Sequence, residues 1–179
     1  MIVFPEKQLL ILTPPHTASG FLHNFYCSKG AYFLVGPNSE NIVSHHYMRP
    51  HNAYDHFTKV LVVRRPFERF VGLFEHYNWW GEHTKSYTPI TFEFFVKEAI
   101  LKNSPEFPIF YRQTIQEALD EAAIKPDVIW RYEDLNKPPV DIVAPEFSPP
   151  QRDYSQYEWA RYMIEQIGQE DIKLYENIP

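Results

Sequence analysis

The chain has 179 residues and a formal net charge of −6, with a single cysteine, Cys27. This length fits one domain that can bury a sizeable core, so we expect residues 1–179 to form a single domain. The acidic balance argues against a general nucleic-acid binder, because such proteins neutralise phosphates with a basic surface. One cysteine excludes an internal disulfide framework and a multi-cysteine zinc site, and it indicates a reducing compartment.

The N-terminal 15 residues show no targeting signal. They lack the basic stretch and the small-residue cleavage site of a signal peptide, and their apolar run is far below the ~18 residues that span a bilayer. The sequence therefore predicts a cytoplasmic protein without a membrane partner, and it leaves the oligomeric state open.

Short apolar runs predict the strands. Three of them have the composition of buried parallel strands: Gln8–Leu12, Lys59–Val63 and Asp127–Tyr132. A weaker fourth strand is predicted at either Ala31–Val35 or Ile42–Ser44.

Helical periodicity fills the intervals between these runs. It is clearest in Pro66–Asn78, where four aromatic and aliphatic residues repeat at i, i+3, i+4 and i+7 behind a proline at the first helical position. Similar patterns cover Thr91–Lys102, Tyr111–Ala123 and Ser155–Gly168. Strands that alternate with helices predict an α/β domain with a mostly parallel central sheet flanked by helices. The proline-rich stretch Lys137–Pro150 is interpreted as a rigid surface loop that precedes a C-terminal helix packed on the domain.

Open parallel sheets bind ligands at the carboxyl ends of their strands, so the residue types found there indicate the chemistry. After the first predicted strand, Thr13–Gly20 is rich in small and hydroxylated residues and leads into a helix that begins near Gly20. Such a turn can direct backbone N–H groups at an anion, with Thr17 and Ser19 as hydroxyl donors. It is not a Walker A loop, because the Gly-Lys-Ser/Thr ending is absent. An ordinary strand-to-helix turn without a ligand is the alternative.

A cluster of arginines follows the strand Lys59–Val63, at Arg64, Arg65 and Arg69. A nucleoside-triphosphate hydrolase usually has an aspartate at this strand end to help hold magnesium, whereas a guanidinium suits a phosphate. Arg64 stands directly at the strand end, which favours phosphate binding. For Arg69, a structural pairing with Glu68 or with a carboxylate elsewhere, for example Glu133, is equally consistent with the sequence.

These segments together resemble the sulfotransferases that use 3′-phosphoadenosine 5′-phosphosulfate (PAPS), particularly the carbohydrate type. Leu12–Gly20 is similar to the family's 5′-phosphosulfate loop, and Val62–Phe74 is similar to its 3′-phosphate motif. Arg131–Leu135 and Asp171–Tyr175 resemble two later motifs of the family. The resemblance covers most of the chain in the family's order, and the arginine motif is its most specific part.

The resemblance implies a three-layer, P-loop-like domain that transfers a sulfuryl group from PAPS to a hydroxyl or amine of a small-molecule or glycan acceptor, without a metal. It also implies the residues that hold the co-substrate: Pro15, His16, Thr17, Ala18, Ser19, Gly20, Arg64, Arg69 and Gly72. Arg152 is a further candidate phosphate ligand, and the alternative for it is a solvated arginine on a proline-rich loop.

Two positions depart from the family's pattern: His16 stands where the loop commonly has lysine, and Gly72 stands where the arginine motif commonly has serine. An imidazole is a weaker and more pH-dependent partner for the leaving phosphate than an ammonium group. Gly72 removes a hydroxyl donor. We assign the stabilisation of the leaving group to His16.

The candidate base is His45 or His46, which follow a short strand-like run where the family usually has its catalytic histidine. Spacing does not distinguish the two, and a purely structural histidine is the alternative. A metal site built from His45, His46, His51 and His56 is not expected, because no helical His-x-x-x-His pair is present among them.

Two other functions stay open at this stage. One is a non-catalytic relative that keeps a nucleotide pocket without the loop lysine, and the other is a nucleotide or nucleoside kinase-like phosphotransferase. The second would need magnesium and a Gly-Lys-Ser/Thr loop. The aromatic run Tyr77–Trp80 either stacks on a sugar or adenine ring or packs beneath a loop.

Overall fold

The computed structural model of the protein describes residues 1–33 and 52–176. Within these ranges the strands are β1 (Ile2–Phe4), β2 (Leu9–Leu12), β3 (Tyr32–Phe33), β4 (Thr58–Val63) and β5 (Val128–Arg131). They form one five-stranded sheet in the order β3-β1-β2-β4-β5.

The half of the sheet that carries the candidate site is parallel, because β4 pairs in parallel with both β2 and β5. These are the three strands that the apolar runs predicted, each shifted by a residue or two at its ends. Their carboxyl ends meet at one border of the sheet, which we call the carboxyl edge: residues 13–18 after β2, Arg64 and Arg65 after β4, and Tyr132 after β5.

The prediction of a mostly parallel sheet is wrong, because the sheet is mixed. β1 pairs antiparallel with both β2 and β3. A 3₁₀ turn at Pro5–Lys7 and a left-handed Gln8, with φ of 48°, reverse the chain between β1 and β2. Of the two predicted fourth strands, Ala31–Val35 contains β3, and Ile42–Ser44 lies outside the described residues.

The helices of the described ranges are α1 (Ser19–Cys27), α2 (Pro66–Thr84), α3 (Phe92–Phe95), α4 (Ile109–Arg112), α5 (Ile115–Ala122), α6 (Arg161–Ile167) and α7 (Gln169–Glu176). A π-helical segment, Val96–Leu101, extends α3, and a 3₁₀ segment, Ser155–Ala160, precedes α6. No helix in this part of the chain is long and apolar enough to cross a membrane.

Two helix predictions were wrong in extent. The helix predicted to end at Asn78 continues to Thr84, so the run Tyr77–Trp80 lies within α2. The single helix predicted over Tyr111–Ala123 is divided into α4 and α5, because Gln113 is extended and Thr114 begins a new helix with a capping box.

Helices cover both faces of the sheet, and the side chains of successive residues in each strand pack on opposite faces. Ile11 and Val62 belong to the cluster that includes α1, whereas Leu12 and Val63 pack with α5 and α7. A third cluster, built largely from aromatic side chains, joins α2 to α3, α4 and α6. Residues 137–150 contain no helix or strand, and three of their apolar side chains pack on the α1 cluster: Val140, Ile142 and Phe147.

The C-terminal helix α7 holds the start of α5 through one buried carboxylate. Asp171 is 1% exposed and accepts hydrogen bonds from the backbone N–H groups of Ile115 and Gln116, both at 2.8 Å. Burial raises the pKa of the Asp171 carboxyl, while the nearby positive charge of Arg69 opposes the rise. Together with the Thr114 capping box, this carboxylate satisfies the first N–H groups of α5.

We expect Asp171→Asn to lower the free energy of unfolding by about 1–3 kcal/mol, because an amide offers one acceptor where two N–H groups now donate. Chemical denaturation followed by circular dichroism measures this change. The control Glu170→Gln removes an exposed carboxylate from the same helix and should change stability by less than about 0.5 kcal/mol. Equal stability of Asp171→Asn and Glu170→Gln would contradict the role assigned to Asp171.

Candidate functional site

The loop after β2 has a backbone shaped by two left-handed residues, His16 with φ of 62° and Ala18 with φ of 65°. A residue with a Cβ adopts this conformation at a cost of about 1–2 kcal/mol, and such strain is concentrated at functional sites. Thr13, at the start of the loop, is 2% exposed, and its Oγ1 has no hydrogen-bond partner among the described residues. A buried, unsatisfied hydroxyl beside a strained loop favours a binding role for this segment.

The loop leads directly into α1, whose N-terminus has no side-chain cap. The first hydrogen bond of the helix runs from the N–H of Leu22 to the carbonyl of Ala18, at 3.0 Å. The N–H groups of Ser19, Gly20 and Phe21 therefore have no acceptor within the helix. The start of α5 is fully capped, in contrast, whereas the free N–H groups at the positive end of α1 are suited to an anion.

Thr17 shapes the turn from inside. Its side chain is fully buried, and its hydroxyl donates to the carbonyl of Pro14 at 2.6 Å. This hydroxyl proton is therefore directed inward, unlike the outward donor that the sequence indicated. Ser19 is half-buried and Gly20 is exposed at the first turn of α1, where their N–H groups remain as donors.

Arg64 ties together the three segments of the carboxyl edge. Its guanidinium lies over the ring of Tyr132 at 4.4 Å, and it donates to the carbonyl of His16 at 3.3 Å and to the hydroxyl of Tyr154 at 3.0 Å. The residue is 6% exposed. A guanidinium has five N–H groups, so it keeps donors for an anion beyond these two bonds. Stacking and hydrogen bonding hold the guanidinium plane in one orientation, which suits bidentate hydrogen bonding to a phosphate.

Arg69 supports the loop from beneath. It is 2% exposed and donates to the carbonyls of Pro15 at 3.2 Å and Gln113 at 3.0 Å. Burial lowers the pKa of its guanidinium, and the charge of Asp171 opposes this effect. Because its donors reach backbone atoms inside the protein, we assign Arg69 to positioning the loop, and ligand contact by Arg69 stays a prediction.

The carboxylates that were alternatives for pairing with Arg69 have other partners. Glu68 lies 3.6 Å from Arg161, and Glu133 accepts a hydrogen bond from the Tyr175 hydroxyl at 2.9 Å. Glu68 and Glu133 are therefore not the groups that compensate Arg69. Its guanidinium donates to backbone carbonyls, and the carboxylate whose charge acts most on it is Asp171.

His16 of the loop and Gly72 of α2 lie against each other. A Cβ placed on Gly72 would lie 3.1 Å from Nδ1 of His16 and 3.5 Å from Nη1 of Arg64. The imidazole of His16 thus packs into space that any larger residue at position 72 would narrow. The histidine in the loop and the glycine in α2 therefore fit each other sterically.

Arg152 lies near the carboxyl edge and forms an ion pair with Glu75 of α2. Both side chains are 39% exposed. Its charge, together with that of Arg64, opposes the rise that burial causes in the pKa of Tyr132. Arg152 thus lies within electrostatic range of Tyr132, the residue on which Arg64 stacks, and it is paired with Glu75.

His76 was missed by sequence reasoning and is brought next to the loop by α2. Its ring lies 5.0 Å from the ring of His16, and its Nδ1 lies 2.9 Å from the hydroxyl of Tyr111. The signal that could have found it is its spacing of four residues from Gly72, which places both on one helix face. Two further aromatic rings of α2, those of Trp80 and the half-exposed Trp79, each have their centroid 6.1 Å from the centroid of the His76 ring.

The candidate bases His45 and His46, and also His51, lie outside the described residues, so their roles stay predictions. In the ranges 1–33 and 52–176, no group of three or more histidine, cysteine, aspartate or glutamate side chains is arranged to hold a metal ion.

Comparison with known proteins adds no assignment: no family model matches the chain, and neither a curated protein nor a solved structure matches it.

The coupling between His16 and Gly72 can be measured with a double-mutant cycle. We expect Gly72→Ala to lower the free energy of unfolding more in the wild-type background than in the His16→Ala background, because the added methyl group displaces the imidazole. The difference between the two backgrounds, the coupling energy, should be about 0.5–3 kcal/mol. Thermal or chemical unfolding of the four proteins measures it.

The matched control is Gly20→Ala, where the new Cβ meets nothing within 4 Å. Its effect should be the same with and without His16, to within about 0.5 kcal/mol. If the changes in free energy of unfolding caused by Gly72→Ala and His16→Ala were additive, the packing of His16 against Gly72 would make no contribution to stability.

Proposed function

We propose that this protein is a PAPS-dependent sulfotransferase with a three-layer, P-loop-like domain. The observation that carries the proposal is the placement of Arg64 beside the strained loop that opens on the uncapped N-terminus of α1. This combination supplies two separate anion-binding groups at one sheet edge, as a nucleotide with a 5′-phosphosulfate and a 3′-phosphate requires.

The binding groups match the two ends of such a nucleotide. The N–H groups that begin α1 and the hydroxyl of Thr13 are suited to the 5′-phosphosulfate, and Arg64 is suited to the 3′-phosphate. Arg152 would reach the same phosphate after leaving Glu75. The resemblance in sequence supplies this assignment of phosphates, and the buried hydroxyl of Thr13 fits it because a ligand oxygen would give that hydroxyl a partner.

In the proposed reaction an acceptor oxygen attacks sulfur in line. One S–O bond forms to the acceptor as the S–O bond to the 5′-phosphate breaks, and the acceptor proton passes to an imidazole. His45 or His46 is the proposed base. His16 and the N–H groups of α1 stabilise the negative charge that develops on the leaving phosphate oxygen. The acceptor is a small molecule or a glycan whose identity the proposal leaves open.

Isothermal calorimetry with 3′-phosphoadenosine 5′-phosphate tests the donor site. We expect micromolar, metal-independent binding that Arg64→Ala weakens by about 1.5–3 kcal/mol, the range for a hydrogen bond to a charged group. AMP, which lacks the 3′-phosphate, should bind wild type and Arg64→Ala alike, because Arg64 is assigned to that phosphate.

The matched control is Arg65→Ala, which removes the adjacent, exposed arginine that packs over Tyr175. It should reduce affinity by about twofold or less, as expected for a screened surface charge. Tight binding of ATP with magnesium, and none of 3′-phosphoadenosine 5′-phosphate, would favour the phosphotransferase alternative and contradict the proposal.

Transfer of labelled sulfate from PAPS to a panel of glycans, phenols and amines tests the activity itself. We expect transfer by the wild type and a loss of about 10²–10⁴-fold in kcat when the base is replaced, as for removal of a general base. His45→Ala and His46→Ala are compared with His56→Ala as the control. Nucleotide binding without transfer to any acceptor would favour the non-catalytic alternative, and full activity of the protein lacking both His45 and His46 would remove them from the mechanism.

A further inference from the structure

The ring of His16 is enclosed on two sides by α2. Gly72 lies beneath it, at 3.1 Å from Nδ1 to the position of an added Cβ, and His76 meets it edge to face, with an angle of 66° between the rings. Gly72 and His76 are one helical turn apart, so a single face of α2 forms both walls. The orientation of the His16 imidazole is therefore set by α2 as well as by its own loop.

His76 is itself anchored to the interior of the protein. Its Nδ1 lies 2.9 Å from the hydroxyl of Tyr111, a residue that is 1% exposed. Burial raises the pKa of Tyr111, and a hydrogen bond with Tyr87 raises it further, so this hydroxyl keeps its proton at neutral pH. A group that does not titrate in this range thus holds the imidazole of His76 in place.

The charged and titratable groups recorded around this pair come from several elements. In the described ranges they are Arg64 after β4, which lies against His16, Tyr111 of α4, which lies against His76, Tyr87 behind Tyr111, and Glu75 of α2, which is paired with Arg152. The guanidinium of Arg64 is permanently charged, whereas the charge of an imidazole such as that of His76 can change near neutral pH.

We infer that His76 is a positioning residue for His16, and that Tyr111 acts on His16 through His76. The inference rests on the proposed function in one respect, namely that His16 stabilises the leaving phosphate. A lysine in the loop would have three rotating donors and a permanent charge, so its orientation would matter little. An imidazole donates hydrogen bonds only in its ring plane and from one or two nitrogens. A neighbour that fixes the ring orientation and the tautomer of His16 therefore decides whether His16 can donate to the leaving phosphate.

Nitrogen NMR of the histidine rings in the full chain, recorded without nucleotide, tests the inference independently of activity. We expect His76→Phe, which keeps an aromatic ring and removes both nitrogens, to move the titration midpoint of His16 by about half a pH unit or more. Tyr111→Phe should also move it, and the double variant should match His76→Phe, because Tyr111 acts through His76.

The control is His83→Phe, an exposed histidine of the same helix whose ring lies 4.3 Å from that of Trp79. It should leave the titration of His16 unchanged. An unchanged midpoint in either His76→Phe or Tyr111→Phe would overturn the inference. Because Tyr111→Phe removes only a hydroxyl, it keeps the test decisive even if His76→Phe does not fold.

Sulfate transfer provides the second readout. We expect His76→Phe to bind 3′-phosphoadenosine 5′-phosphate within about twofold of the wild type, and to lower kcat about tenfold with a displaced pH profile. This loss is smaller than the roughly 10²–10³-fold for outright removal of a charge-stabilising donor, because His16 itself is still present. Unchanged kcat and pH profile in an active enzyme would overturn the inference. If the wild type transfers no sulfate, the proposed function fails, whereas the titration of His16 still decides whether His76 positions it.

Discussion

The buried guanidinium of Arg69 is the interaction on which the arrangement of the carboxyl edge depends. It donates to the carbonyl of Pro15 in the loop after β2 and to the carbonyl of Gln113 before α5. Asp171, whose charge acts on Arg69, caps the start of α5 from α7. One cation inside α2 thus links the loop, α5 and the C-terminal helix. A cation without such partners could not be buried at this depth, because the cost of desolvation would be too high.

This framework explains how an acidic protein can offer a site for an anion. Arg69 occupies the interior and holds the loop, whereas Arg64 lies at the edge, stacked on Tyr132 and bonded to Tyr154. The uncapped start of α1 adds the field of a helix terminus. The net charge of −6 describes the whole surface and conceals this local concentration of donors.

The parts of the fold that depend on local pattern could be predicted from the sequence. The three parallel strands and Arg64 at the end of one of them followed from apolar runs and from the residue after each run. The hairpin of β1 with β2 could not be predicted, because a strand of three residues is too short to show a period. Thr114 interrupts an apolar periodicity that otherwise continues, so α4 and α5 were predicted as one helix.

The sequence indicated that Arg64 and the loop after β2 lie at one edge of the sheet, whereas the contacts that their side chains make could not be predicted. Arg69 bonds to backbone carbonyls, and no pattern of side chains encodes such partners. The contact of His76 with Tyr111 joins positions 35 residues apart, which spacing along the chain does not reveal. The contact between His16 and Gly72 is likewise visible only in three dimensions, because the two positions lie far apart along the chain.

The most direct test of this account is a crystal structure of the protein with 3′-phosphoadenosine 5′-phosphate. The account predicts the 5′-phosphate at the N–H groups that begin α1, and the 3′-phosphate on the guanidinium of Arg64, with His16 still packed on Gly72. A nucleotide bound away from the carboxyl edge, or one whose phosphates contact neither α1 nor Arg64, would contradict it.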